Sequence, residues 1–114
     1  MVRHENDIAS TEMKGNGVVG VTKQILIGPK DGYDGYLRVF TLQPGGHSPH
    51  HAHPWFHANY ILEGTGKVVI DGVDHPIQAG SVAYIDGGKQ HQFLNTGKVP
   101  LKFICLVPQA GDSY

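Results

Sequence analysis

The sequence has a single cysteine, Cys105, so neither an intrachain disulfide nor a cysteine-rich zinc site can form. It has no apolar run long enough to cross a bilayer. The longest, around "FICLVP" (103–108), falls far short of the roughly 20 residues that a spanning helix needs. The N-terminus "MVRHENDIAS" is polar and lacks the apolar core of a secretory signal. Together these absences predict a soluble cytoplasmic protein without a membrane partner. Lysine and arginine are scattered and the formal charge is −1, so no basic patch marks a nucleic-acid partner. No convincing 3.6-residue apolar period is sustained, which excludes long amphipathic helices. No Ser-His-Asp arrangement, phosphate-cradling loop or catalytic carboxylate pair is present.

What the chain does have is glycine, sixteen residues spread throughout, and short apolar runs separated by turn signals. This is the pattern of an all-β sandwich or barrel. The expected strands lie near 18–28, 36–43, 50–53, 57–62, 66–70, 73–78, 82–86, 91–95 and 99–107. Asp71-Gly72 is a strong hairpin signal. Pro76 predicts an edge or bulged strand, because proline cannot donate to the ladder. Residues 1–16 show no period and read as a loosely tied arm. Residues 1–114 form one domain by length. The predicted fold is a small antiparallel β-barrel or jelly roll.

The chain also has eight histidines, four of them within "HHAHPWFH" (50–57). On a strand, His51 and His53 point to the same face, while His50 points the other way. His57 opens the next apolar run, after Pro54 turns the chain. His91, in "GGKQHQFLN", joins them if its strand pairs across the barrel. Four neutral imidazoles around one point suit a divalent transition metal, whereas an all-oxygen shell suits Mg or Ca.

"GGHSPHHAHPWFHANYILEG" resembles the first motif of the cupins, G-x5-H-x-H-x3–4-E-x6-G, with Gly45, His51, His53 and Gly64 in register over 45–64. "GSVAYIDGGKQHQFLN" is similar to their second motif over 80–95, with Gly80, Gly88, His91 and Asn95 in register. The resemblance is to the small four-histidine cupins. It implies a double-stranded β-helix, one divalent metal (Mn, Fe, Ni, Zn or Cu) on His51, His53, His57 and His91, and a homodimer in which strand 18–28 crosses to the partner. It further implies an oxidoreductase of dioxygenase type acting on a small organic molecule. A metal-dependent isomerase, lyase or decarboxylase, or a non-catalytic binding module, stands as the alternative. The sequence departs from the family at His57, which replaces a glutamate, and at Asp86, which replaces a proline. Three His and one Glu around a divalent ion leave a net charge of +1, and four His leave +2, which favours an anionic ligand. The exchange also removes the one carboxylate that could act as a base beside the metal.

Strand alternation suggests the rest of the site. Asn59 and Ile61 share the face of His57, and Phe93 that of His91. If Lys102 faces solvent, Phe103 and Cys105 face inward. Asn59 is expected to orient a ligand. Cys105 is a second candidate for chemistry, although a small buried core residue is its commoner role. Arg38 can face inward, to grip a carboxylate, or outward into solvent; the outward placing is favoured.

Overall fold

The computed structural model describes residues 1–15 and 17–112; Asn16, within the arm expected over 1–16, lies outside them. The strands are β1 (Thr11–Glu12), β2 (Val19–Ile27), β3 (Tyr36–His47), β4 (His57–Glu63), β5 (Thr65–Ile70), β6 (Val73–Gln78), β7 (Val82–Ile85), β8 (His91–Asn95) and β9 (Leu101–Val107). Only short 3-10 turns interrupt them. All pairings are antiparallel, in the order β6-β5-β8-β3-β9-β4-β7, with β2 on β3 and β1 on β2. The all-β expectation therefore holds: the sheet curls into a half-barrel.

The curl comes from β3. Its first half pairs with β9 from Tyr36 to Leu42, and its end pairs with β8 at His47. Between them lie exposed Gln43, Pro44 and Gly45. Gly45 has φ +79°, a conformation that L side chains rarely adopt, so the strand turns its corner there. One strand thus serves both halves of the curled sheet, and the core lies between them. Leu42, Ile61, Val68, Ile77, Ile85, Phe93, Leu101 and Phe103 form that core with Cys105. The Asp71-Gly72 turn forms as expected: both residues have positive φ, and Ile70 faces Val73. Pro76 lies on β6, at the end of the strand order.

Two expectations need correction. Residues 50–53 form no strand, and only His51 bridges to His91. Pro54 follows too closely for a ladder to extend. The N-terminal arm is not loose. Gln24 donates to the carbonyls of Glu5 and Ile8, Lys102 pairs with Glu5, and Met13 packs on the core. β2, the strand expected over 18–28, pairs with β3 over most of its length. Among the described residues, no helix is long and apolar enough to cross a membrane.

Candidate metal centre

The histidines reach one place from three parts of the chain. His51 and His53 come from the extended segment before the Pro54 turn, His57 opens β4 and His91 opens β8. Backbone bonds hold His51 against β8: His51 N–H donates to the His91 carbonyl, and His91 N–H donates back. The Gly88 N–H donates to the His53 carbonyl at 2.7 Å and ties the other end of the loop. The spacing of His51 and His53 does place both rings inward, while His50 is exposed. It does so through an extended loop rather than through a strand.

One nitrogen from each of His51, His53 and His91 lies within 4.8 Å of the others. These three neighbouring histidines can bind a metal. His57 approaches from beside them, its Nε2 3.1 Å from the Nε2 of His91. The protonation pattern follows from the other ring nitrogens. His53 Nδ1 donates to the Trp55 carbonyl at 2.8 Å, and His91 Nδ1 to the Lys89 carbonyl at 2.9 Å. A carbonyl oxygen only accepts, so the proton sits on Nδ1 in both. His57 Nδ1 lies 2.6 Å from Asn59 Oδ1, while Asn59 Nδ2 donates to the Ile104 carbonyl. The amide oxygen therefore faces His57, and His57 too carries its proton on Nδ1. Each Nε2 is left unprotonated with its lone pair. Those of His57 and His91 lie against each other, whereas His57 stands outside the group of three.

Two such lone pairs 3.1 Å apart cannot bond to each other. They suit a cation: with metal–nitrogen bonds of about 2.1 Å, ligands at right angles stand about 3.0 Å apart. The rings are also held neutral. Burial, and then the neighbouring His91, lower His57 to about 3 and His51 to about 4. Burial likewise lowers His91. Neutral imidazoles with fixed tautomers are what a transition metal requires. Trp55 stacks on His53 at 4.8 Å and 10° and fixes its plane.

Several placings differ from the sequence reading. Asn59 is spent on His57 and the Ile104 carbonyl, so it positions an imidazole rather than a ligand. Arg38 faces inward and is 1% exposed, which corrects the outward placing. Its guanidinium donates to Asp112 and to Cys105 Sγ and lies over the Phe40 ring. It is thereby engaged and lines no chamber beside the histidines. Cys105 is inward, as alternation predicts, and burial raises its thiol pKa despite the nearby Arg38. A neutral thiol is a poor metal ligand and a poor nucleophile. Phe93 and Phe103 line a small chamber next to His57; Ile61 lies in the core and does not. Sequence reasoning missed Asp112, Met13 and the carbonyls of Trp55 and Lys89. The carbonyls carry no signal at all, because every residue has one.

The chain matches the cupin domain model over residues 38–107 and belongs to that family. It is 33% identical to the 1-methylthio-D-xylulose 5-phosphate methylsulfurylase of Rhodospirillum rubrum over 81% of this chain and 58% of that protein. It is 39% identical to an oxalate-binding protein of Thermotoga maritima over 58% of this chain and 55% of that protein. The chain thus spans a little over half the length of these curated relatives. The structure of the polyketide cyclase RemF from Streptomyces resistomycificus superposes with a TM-score of 0.87 at 29% identity, covering 96% of this chain and 80% of that one.

Proposed function

We propose that the protein is a mononuclear metal enzyme, with His51, His53, His57 and His91 as ligands, that carries out an oxidation of dioxygenase type on a small organic molecule. The observation that supports this best is the pair of lone pairs on His57 and His91, fixed 3.1 Å apart by the bonds at their Nδ1 atoms. A divalent ion held by His51, His53, His57 and His91 would supply Lewis acidity and a route for electron transfer between substrate and oxygen. The protein's own part is then to hold, orient and keep dry. Asn59 and the Lys89 carbonyl lock two ligand rings, and Trp55 locks a third through its stacked ring and its carbonyl. Phe93 and Phe103 exclude water from the side facing His57. Among the described residues, no Asp, Glu or Lys lines the chamber there. Proton abstraction by a side-chain carboxylate or amine is therefore not provided for, which favours redox chemistry over isomerisation.

The likeness to a polyketide cyclase supports a second reading, a metal-assisted ring closure without oxygen. Metal analysis of protein purified without oxygen, followed by oxygen uptake with catechols, diketones and flavonols, separates the two. Metal-dependent uptake is the expected result. Turnover of the diketones with no oxygen consumed favours the second reading, and metal binding with neither activity overturns both.

A further inference from the structure

The chamber beside His57 is unusual for what lines it. Met13, Val21, Phe40, Phe93, Phe103 and Cys105 make most of its wall. Among the described residues, no charged side chain lines it. Ser48 sits at its edge with its hydroxyl already engaged, accepting from the Phe93 N–H and donating to the Pro49 carbonyl. The nearby cation, Arg38, is paired with Asp112 and donates to Cys105 Sγ; its Nε has no partner among the described residues, but no atom of Arg38 is part of the chamber wall. The aromatic rings are nearly parallel: Phe93 on Phe103 at 4.4 Å and 22°, Phe103 on Phe40 at 5.8 Å and 28°. As it stands the chamber has room for about one water molecule. A ligand body enters by displacing side chains, and half-buried Met13, unbranched and with three rotatable bonds, yields most easily.

We infer that the metal site selects ligands with one polar, metal-chelating head and a flat, uncharged body, and rejects ligands that carry a second charge on that body. The head is matched by the imidazole-held metal, and so this inference rests on the metal reading above. The body packs against near-parallel aromatic faces. A second charge would lose its hydration against a wall that, among the described residues, offers it no charged side chain. This separates the chain from the relatives named for oxalate and for a phosphorylated sugar, both of which carry more than one charge.

The test uses protein loaded with cobalt(II), whose visible absorption reports each ligand that enters its coordination sphere. Three hydroxamates share one chelating head. Benzohydroxamate is expected to bind at least about tenfold more tightly than acetohydroxamate, from burial of its ring. A carboxylate at the far end of that ring, in 4-carboxybenzohydroxamate, is expected to remove at least that advantage. Phe103→Leu keeps the chamber apolar but removes the middle ring, and should narrow the gap between the first two ligands several-fold. Equal affinity for all three hydroxamates in the unaltered protein overturns the inference, and this comparison stands even if Phe103→Leu fails to fold. An unchanged gap in a folded variant also overturns it. Failure to take up cobalt overturns the metal reading itself, and the two failures are thereby distinct.

Discussion

His57 carries the departure from the family pattern, and its two ring nitrogens have separate jobs. Nδ1 is committed to Asn59 at 2.6 Å, and Nε2 faces His91 at 3.1 Å. His57→Ala should therefore weaken metal binding more than any change in the residues behind the ligands. Asn59→Ala, which frees the ring without removing it, should cost about 10- to 100-fold. His57→Glu should keep the metal but shift preference from Cu toward Mn or Fe, since a carboxylate is the harder ligand. Competitive chelator titration of the three variants measures all of this. Equal affinity of His57→Ala and the unaltered protein would remove His57 from the ligand set. Acid acts on the same rings. In the fold, His51 and His57 stay neutral to about pH 4 and about pH 3, against a usual 6.5. Below pH 6.5 the unfolded chain binds protons that the folded one refuses. The metal-free protein should thus lose stability progressively from about pH 6.5 down to about pH 3, and these groups should add no pH dependence above 6.5. Urea midpoints of chelator-treated protein between pH 4 and 8 read this directly; a midpoint unchanged from pH 7 to pH 4 would refute it.

Among the elements, the loop 51–56 matters most, because it is held as a loop and not as a strand. Gly87 lies against it: a Cβ there would stand 2.2 Å from the Pro54 carbonyl oxygen. Next to it, Gly88 N–H binds the His53 carbonyl. Gly87→Ala must push the two segments apart. It should lower stability by about 2 kcal/mol, near 8 °C in Tm, and weaken metal binding as His53 moves. Gly64 gives the control. Its φ is +88°, and a Cβ would meet the Pro100 carbonyl oxygen at 2.4 Å, away from the histidines. Gly64→Ala should cost at least as much stability and leave the metal affinity of the folded protein unchanged. Thermal melts paired with metal titration check the contrast. Equal metal affinity in both variants would show that the Gly87 contact does not position His53.

On the scale of the whole molecule, the apolar surface is uneven. Tyr60, Val82 and Tyr84 are exposed on β4 and β7, and Phe56 stacks on Tyr84 at 5.7 Å. The outer edge of β2 pairs with the two residues of β1 and is otherwise met by single bonds from Met13 N–H and the Arg3 side chain. A barrel this small has few ways to hide such edges and faces by itself. We expect a homodimer, seen by light scattering as twice the chain mass at micromolar concentration. A monomer mass there would refute it.

The sequence by itself determined the fold class, the hairpin at Asp71-Gly72 and the residues that share a face, because a two-residue period and turn chemistry are local properties of the chain. It determined the meeting of His51, His53 and His91 through motif spacing. It did not determine which face of β3 is inside. In "YLRVFTL" apolar residues occupy both alternating sets, and both are buried: Arg38 is 1% exposed inside and Val39 2% exposed outside. Val39 faces Gln24 and Ile104 in register, where the N-terminal arm is tied down through Gln24 and Lys102. Only the tertiary structure could decide this, because what buries a residue there is a segment about thirty residues away. The same holds for Arg38, whose partner Asp112 is 74 positions along the chain. It holds also for the tautomers of His53 and His91, set by backbone carbonyls. Alternation says which side chains travel together; only the folded chain says what waits on each side.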